Sequence, residues 1–196
     1  MYYHVDRSGK LEIGNKLQLN SRWSDLFFQE ISKSINKNDI TSFFEEIYPE
    51  GLSNHGIQYL IGANLIIKNQ IGQHTDFTNV IPMIELKLEE TRRRKFGHYT
   101  SRMQSFYCFE TMVDAIAFGK SVNCERILIV DGEKNGKFDM NQIYLGGKLY
   151  HAEIYSDRYW NSVGSINPKW EILLKFPVTI KEIAQQDDAP ETGSSE

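Results

Sequence analysis

The run Ile127-Leu128-Ile129-Val130, which follows Arg126, constrains the fold of this sequence more than any other feature. A continuous aliphatic run without alternation is typical of a strand that is buried on both faces. Residues 2–5, 104–109 and 170–178 are also rich in aromatic and β-branched residues, and each is predicted to form a strand. The sequence therefore predicts a sheet, with the run after Arg126 near its centre.

Helical spacing dominates a different part of the chain, over about residues 21–95. Helices are predicted after Ser21, from Thr41 to just before Pro49, and over residues 82–95, where the last turn is basic. A further helix is expected after Thr111. The predicted fold class is α+β, a small and mostly antiparallel sheet with a helical insert.

The remaining segments complete a single predicted domain over residues 1–184. Gly146-Gly147 lies between two strand-like runs, and we expect a hairpin there that reaches Tyr155. Residues 185–196 are polar and acidic and are predicted to be a disordered tail.

Composition excludes several classes of protein. The 196 residues carry a net charge of −4, so any contact with nucleic acid must come from a local basic patch. No apolar run approaches the roughly 20 residues that span a bilayer, and the opening residues lack a signal-peptide pattern, so we expect a cytoplasmic protein without membrane contact. Cys108 and Cys124 are interpreted as buried thiols, and the five histidines lack metal-ligand spacing, so no metal site is predicted.

Three segments resemble, in order, the ADP-ribosyltransferases of the diphtheria-toxin-like and rifamycin-modifying kind. The segments are YYHVDRSGKLEIGNKLQL (2–19), SFYCFETMVDAIAFGK (105–120) and KLYHAEIYSDRYWN (148–161). They are similar to a Tyr-His strand with a Leu-x-x-Gly-x-x-Leu stretch, a Tyr-containing strand followed by a helix, and a strand that ends in an acidic residue. ETRRRKFGHYTSRMQSFYCFET (90–111) also resembles a bacterial and phage family.

The resemblance implies that NAD is a substrate and that a His-Tyr-acidic triad surrounds it. His4 would bind a ribose hydroxyl, and Tyr107 would stack on nicotinamide. Cleavage of the nicotinamide–ribose bond develops positive charge on the ribose, which a carboxylate stabilises. Alternation along the predicted strand favours Glu153 as that carboxylate, whereas a strand that ends at Tyr155 favours Asp157, and the sequence leaves both open.

Further residues are candidates for binding NAD or the acceptor. Arg102 and Arg7 could pair with the pyrophosphate, Ser101 is the polar neighbour of Arg102, and Tyr99 is a second stacking ring. The basic run that ends the 82–95 helix is either a solvated helix end or a contact to nucleic-acid phosphates; it consists of Arg92, Arg93, Arg94 and Lys95.

The function that the resemblance implies is transfer of ADP-ribose from NAD to a macromolecule, either RNA, DNA or a protein. Such a protein would be a bacterial toxin or a phage-defence effector, and a partner such as an antitoxin would inhibit it. Two alternatives stay open, an enzyme similar to RNA 2′-phosphotransferases and a non-catalytic module that binds a nucleotide or a partner on the same fold.

Overall fold

The computed structural model describes residues 1–22, 37–62 and 81–184. It contains an antiparallel sheet of five strands, which we label in chain order. The strands are β1 (Tyr2–Val5), β2 (Lys16–Leu17), β3 (Ser105–Cys108), β4 (Ile127–Asp139) and β5 (Trp170–Ile183).

The sheet curls back on itself around its two long strands. β4 pairs with β1 on one edge and with β5 on the other, while β3 and β2 pair with the first and second halves of β5. Tyr3 and Phe109 exchange backbone hydrogen bonds of 2.9 and 2.7 Å, which joins the end of β3 to β1. The sheet thus forms a nearly closed barrel.

The interior of this barrel is the main apolar core. Paired residues of antiparallel strands point to the same face, so side chains from β3, β4 and β5 meet inside. The buried members are Phe106, Cys108, Leu128, Val130, Ile172, Leu174, Val178 and Ile180. Burying each large aliphatic or aromatic side chain contributes about 1.5–3 kcal/mol, so this cluster accounts for why the strands associate.

Five α-helices surround the sheet in the described part of the chain. They are α1 (Lys37–Ile47), α2 (Asn54–Ile57), α3 (Ile81–Lys95), α4 (Met112–Ser121) and α5 (Leu149–Trp160), with a wider π-helical turn, Gln58–Gly62, directly after α2. Thr111 caps α4 by accepting the backbone N–H of Asp114 at 3.1 Å, as its position before the helix predicted. The α+β class is confirmed.

β4 continues without a break through Asp131-Gly132 and Lys134-Asn135-Gly136, two segments whose residues are typical of turns. The register against β5 shifts between Asp131 and Glu133 and again between Lys134 and Gly136. At the first shift Asp131 and Glu133 pair with Thr179 and Lys175, so the extra residues lie on β5, and at the second shift Asn135 is the extra residue on β4. A side chain at Gly136 would approach the Phe138 ring to 2.4 Å, so the glycine is needed for packing.

The predicted hairpin strand over residues 149–155 is wrong, because this segment belongs to α5. Its aromatic and alternating composition favoured a strand, but Ser156, Tyr159 and Trp160 recur at helical spacing and are buried. The Trp160 indole N–H donates to the Leu88 carbonyl at 2.8 Å, which fixes α5 against α3.

Some expectations lie outside the described residues. These are the helix after Ser21 and the tail over residues 185–196. Within residues 1–22, 37–62 and 81–184, no helix is long and apolar enough to cross a bilayer.

Candidate functional site

His4 lies on β1 and is fixed by the backbone of β3. Its Nδ1 is 2.7 Å from the carbonyl oxygen of Tyr107, and its ring packs against Phe106 at 4.3 Å. A carbonyl oxygen only accepts, so Nδ1 carries the proton and donates. Burial lowers the pKa of His4 more than the bond to Tyr107 raises it, which keeps the ring neutral with Nε2 as an acceptor.

Tyr107 is in contact with His4 through its backbone, but its side chain points to the other face of the sheet. The phenol donates to the carbonyl oxygen of Arg102 at 2.8 Å. The ring lies 4.3 Å from the His55 ring and 4.9 Å from the Arg102 guanidinium. The ring that was predicted to stack on nicotinamide therefore already packs against a histidine and an arginine of this chain.

His55 and Glu85 extend this arrangement toward the helical insert. Nε2 of His55, on α2, lies 3.1 Å from Oε1 of Glu85, on α3, at ion-pair distance but without hydrogen-bond alignment. Burial alone would raise the pKa of Glu85, but Arg102 and His55 together lower it to about 2. Glu85 is therefore ionised, and the His55 side chain lies between it and the Tyr107 ring.

α2 is held in place by a close backbone approach. Ser53 caps α2 by accepting the N–H of Gly56 at 3.1 Å, and its hydroxyl donates to the carbonyl oxygen of Met103 at 2.9 Å. A Cβ at Gly56 would stand 2.3 Å from that same oxygen. The glycine thus allows α2 to approach the segment before β3 and brings His55 onto Tyr107.

Arg102 is a buried structural cation, which differs from its predicted role in binding pyrophosphate. It is 3% exposed. Its Nε and Nη2 each donate to Glu85 at 2.9 Å, and Nη1 donates to Glu171 and to the Tyr159 hydroxyl. Two carboxylates already occupy this guanidinium, because burying it without partners would be costly.

Ser101, Arg92 and Arg93 also bind a carboxylate of this chain, Glu89 of α3. Ser101 donates to Glu89 at 2.7 Å, Arg92 pairs with both of its oxygens, and Arg93 donates through Nε at 2.7 Å. Arg92 and Arg93 lie one helical turn after Glu89, so the pairs form within α3.

The other half of the basic run pairs with the two acidic candidates. Arg94 donates to Glu153 at 2.8 Å, Lys87 also donates to Glu153, and Lys95 donates to Asp157 at 2.5 Å. Hydrogen bonds from Lys87 and Arg94 lower the pKa of Glu153. The sequence predicted Glu153 inside a strand and Asp157 just past its end, both beside NAD, but the structure places them on α5 in ion pairs across to α3.

The two remaining candidates, Tyr99 and Arg7, lie in different parts of the structure. Tyr99 stacks on Trp160 at 5.8 Å and meets Phe138 edge-on at 5.1 Å, so it belongs to the packing under α5. Arg7 follows β1 and is exposed. Of the predicted site residues, the structure joins His4, Tyr107 and Arg102 in one run of contacts.

A groove of about 490 Å³ opens beside this run, between α1, the π-helical turn and α3. Its walls include three aromatic rings, and Glu85 and Arg93 lie along α3. The lining residues are Phe43, Tyr48, Tyr59, Leu60, Pro82, Glu85, Leu86, Glu89, Glu90, Arg93, Arg94 and Met103. The groove therefore combines stacking surfaces, carboxylates and guanidinium groups.

Sequence reasoning missed His55, Tyr59 and Glu85. Glu85 and Glu89 are four residues apart on α3, and this spacing places two carboxylates on one helical face. That signal was available, whereas the contact of His55 with Tyr107 joins residues 52 positions apart and has no local signature.

Comparison with known proteins identifies a family. No curated protein matches the chain. The family model described as "Protein of unknown function (DUF2441)" matches residues 2–186, which is nearly the whole sequence. The chain therefore belongs to the DUF2441 family.

Proposed function

We propose that this protein is an NAD-dependent ADP-ribosyltransferase with Glu85 as its catalytic carboxylate. The observation that carries the proposal is the run of contacts from His4 through Tyr107 and His55 to Glu85, which ends at the groove. A histidine of the first strand, a tyrosine of a later strand and an ionised carboxylate are thereby connected. These are the three residue types that the resemblance requires.

The state of Glu85 suits the chemistry. Loss of nicotinamide leaves an oxocarbenium-like ribose, and a fixed negative charge stabilises it best when no reorganisation is needed. The pKa of about 2 keeps Glu85 charged at neutral pH, and the two-point contact with Arg102 holds it rigid. His4 lies on the opposite face of β3 from the Tyr107 ring, so its part in this site is to fix the Tyr107 backbone through Nδ1.

The groove has the size and lining that a dinucleotide requires. Its volume of about 490 Å³ lies within the range of roughly 300–1,000 Å³ that is typical of small-molecule sites. Phe43 and Tyr59 offer rings on which adenine or nicotinamide can stack, whereas the Tyr48 ring is buried and already carries Arg93. Arg93 and Arg94 each pair with a carboxylate of this chain through one nitrogen, but their side chains are 40% and 49% exposed and keep further N–H donors for a pyrophosphate.

The test follows both halves of the reaction with adenylate-labelled NAD and cell lysate. The wild-type protein should release nicotinamide and label an acceptor, and loss of the label to nuclease or to protease identifies the acceptor class. Glu85→Gln should slow nicotinamide release by about 100-fold or more, because one preorganised electrostatic group is worth about that much. Glu45→Gln, an exposed acid on α1, is the matched control and should leave the rate unchanged.

Two outcomes would contradict the proposal. If folded Glu85→Gln transfers at the wild-type rate while Asp157→Asn or Glu153→Gln does not, the carboxylate is one of those on α5. If the wild-type protein binds NAD and never cleaves it, the groove belongs to a non-catalytic nucleotide-binding module. Circular dichroism of each variant separates loss of function from loss of fold.

A further inference from the structure

We propose that the solvent-facing side of α5, together with Tyr144, is a binding surface for single-stranded nucleic acid. We call this surface the aromatic stripe and define it as Tyr144, Tyr150, His151 and Tyr155. The proposal goes beyond the proposed function by naming an acceptor class, and the acceptor role alone rests on that function. Binding of the strand itself does not require NAD.

The first observation is a connected set of rings that the core does not use. Tyr144 lies 5.4 Å from Tyr155, Tyr155 lies 6.3 Å from His151, and His151 lies 4.4 Å from Tyr150. Tyr144 and Tyr150 are 57% and 54% exposed. Neighbouring aromatic rings that are exposed to water form an apolar patch of the kind that marks an interaction site. Every nucleobase has a flat face that can stack on such rings.

The second observation is the distribution of charge around the stripe. Glu153 and Asp157 are the acids of α5, and both pair with cations of α3. Lys148 and Arg158, in contrast, bracket the stripe. Nζ of Lys148 lies 5.9 Å from the Tyr150 ring centre, and Arg158, which is half-buried, forms no ion pair within the described part of the chain.

Rings flanked by cations favour a single strand over other occupants. About ten residues of helix separate Lys148 from Arg158, or roughly 15 Å, which is enough for two or three unstacked nucleotides. A duplex conceals its base faces, so it would gain only the electrostatic contribution. A purely aliphatic partner would explain the exposure of Leu149 and Ile154 but not the two cations at the ends of the stripe.

The test measures fluorescence anisotropy of a labelled oligouridylate of about 12 nucleotides at low salt, without NAD. The wild-type protein should bind it. Tyr150→Ala should weaken binding by about fivefold or more, because one base loses its stacking partner. Tyr150→Phe, which keeps the ring, is the matched control and should retain the affinity. Lys148→Gln should make the affinity less dependent on salt.

Several results would overturn the proposal. One is the absence of oligouridylate binding by the wild-type protein, and another is equal affinity of wild type and Tyr150→Ala. A third is self-association, detected by light scattering, that Tyr150→Ala removes while oligonucleotide binding is unchanged, which would make the stripe an interface between copies. The measurement omits NAD, so failure of the proposed transferase activity leaves its result intact.

Discussion

Arg102 is the residue on which most of the buried polar interactions converge. One positive charge faces two carboxylates, Glu85 and Glu171, and the Tyr159 hydroxyl joins them by donating to Glu171 at 2.6 Å. Burial alone would lower the pKa of Arg102, but the two carboxylates raise it well above its ordinary value. The guanidinium therefore stays charged, and it helps to keep Glu85 ionised.

Replacing Arg102 should destabilise the protein strongly. Arg102→Met leaves two buried carboxylates without their cation, a change that costs about 3–5 kcal/mol in comparable sites. Urea unfolding followed by fluorescence measures the difference, with the exposed Arg7→Met as control. A loss below about 1 kcal/mol, the value of a typical exposed pair, would show that the network contributes little.

Stability should fall in acid because of the same residues. The pKa of Glu85 is 4.5 in an ordinary environment and about 2 in the folded protein, so its contribution is complete above 4.5 and is lost as the pH falls toward 2. His4 acts in the same direction below 6.5, since its lowered pKa means that protonation favours the unfolded state. Denaturation midpoints at pH 7, 5 and 3 should decrease, and Glu85→Gln should flatten the lower part. A stability that is unchanged down to pH 3 would contradict this.

At the scale of the elements, α3 and α5 are joined by complementary charges. α3 supplies Lys87, Arg94 and Lys95, and α5 supplies Glu153 and Asp157. Beneath them, the Thr91 and Ser156 hydroxyls lie 2.9 Å apart in the buried contact. The basic run that the sequence offered as a nucleic-acid contact is therefore engaged within the protein.

Reversing one charge should weaken this contact, and reversing both should restore it. Lys95→Glu places an acid beside Asp157 and should cost roughly 1 kcal/mol, whereas adding Asp157→Lys should recover most of the loss, because these two side chains form a one-to-one pair. Melting temperatures of the single and double variants give the coupling. The difference should shrink in high salt, and a double variant as unstable as the single one would show that the pair does not interact.

The elements show what the sequence could and could not predict. β1, β3 and α4 follow from local signals, such as the Thr111 cap, and they were predicted almost to the residue. α5 was not predicted, because its exposed tyrosines produce the alternating pattern that is typical of a strand. The face that makes it a helix is recognised only from its packing against α3. The roles of His55 and Glu85 were not predicted for a related reason, because both residues contact partners that lie far away along the chain.

The whole molecule depends on the curled sheet more than on any one helix. β4 and β5 extend over 13 and 14 residues and provide the edges on which the other strands assemble. His4 pairs with Leu128 of β4, and Tyr107 pairs with Leu173 of β5, so the two long strands hold both residues in place. Stability of the sheet and geometry of the candidate site are therefore linked.

Removing a buried side chain from the barrel core should lower the stability of the whole molecule. Leu128 is fully buried beside β1 and β5, so Leu128→Ala should cost about 2–5 kcal/mol. Val113→Ala, on the exposed side of α4, should stay within about 0.5 kcal/mol of wild type. Thermal unfolding followed by circular dichroism makes the comparison, and equal effects of the two changes would place the core elsewhere.

The backbone exchange between Tyr3 and Phe109 has a consequence for the behaviour of shortened forms of the chain. With β1 in place, the edges of β4 and β3 that it contacts are both covered. Deleting residues 1–5 would uncover them together, and bare strand edges recruit strands from other molecules. Such a form should accumulate as β-rich aggregate, so the segment that carries His4 also protects the protein from self-templated assembly.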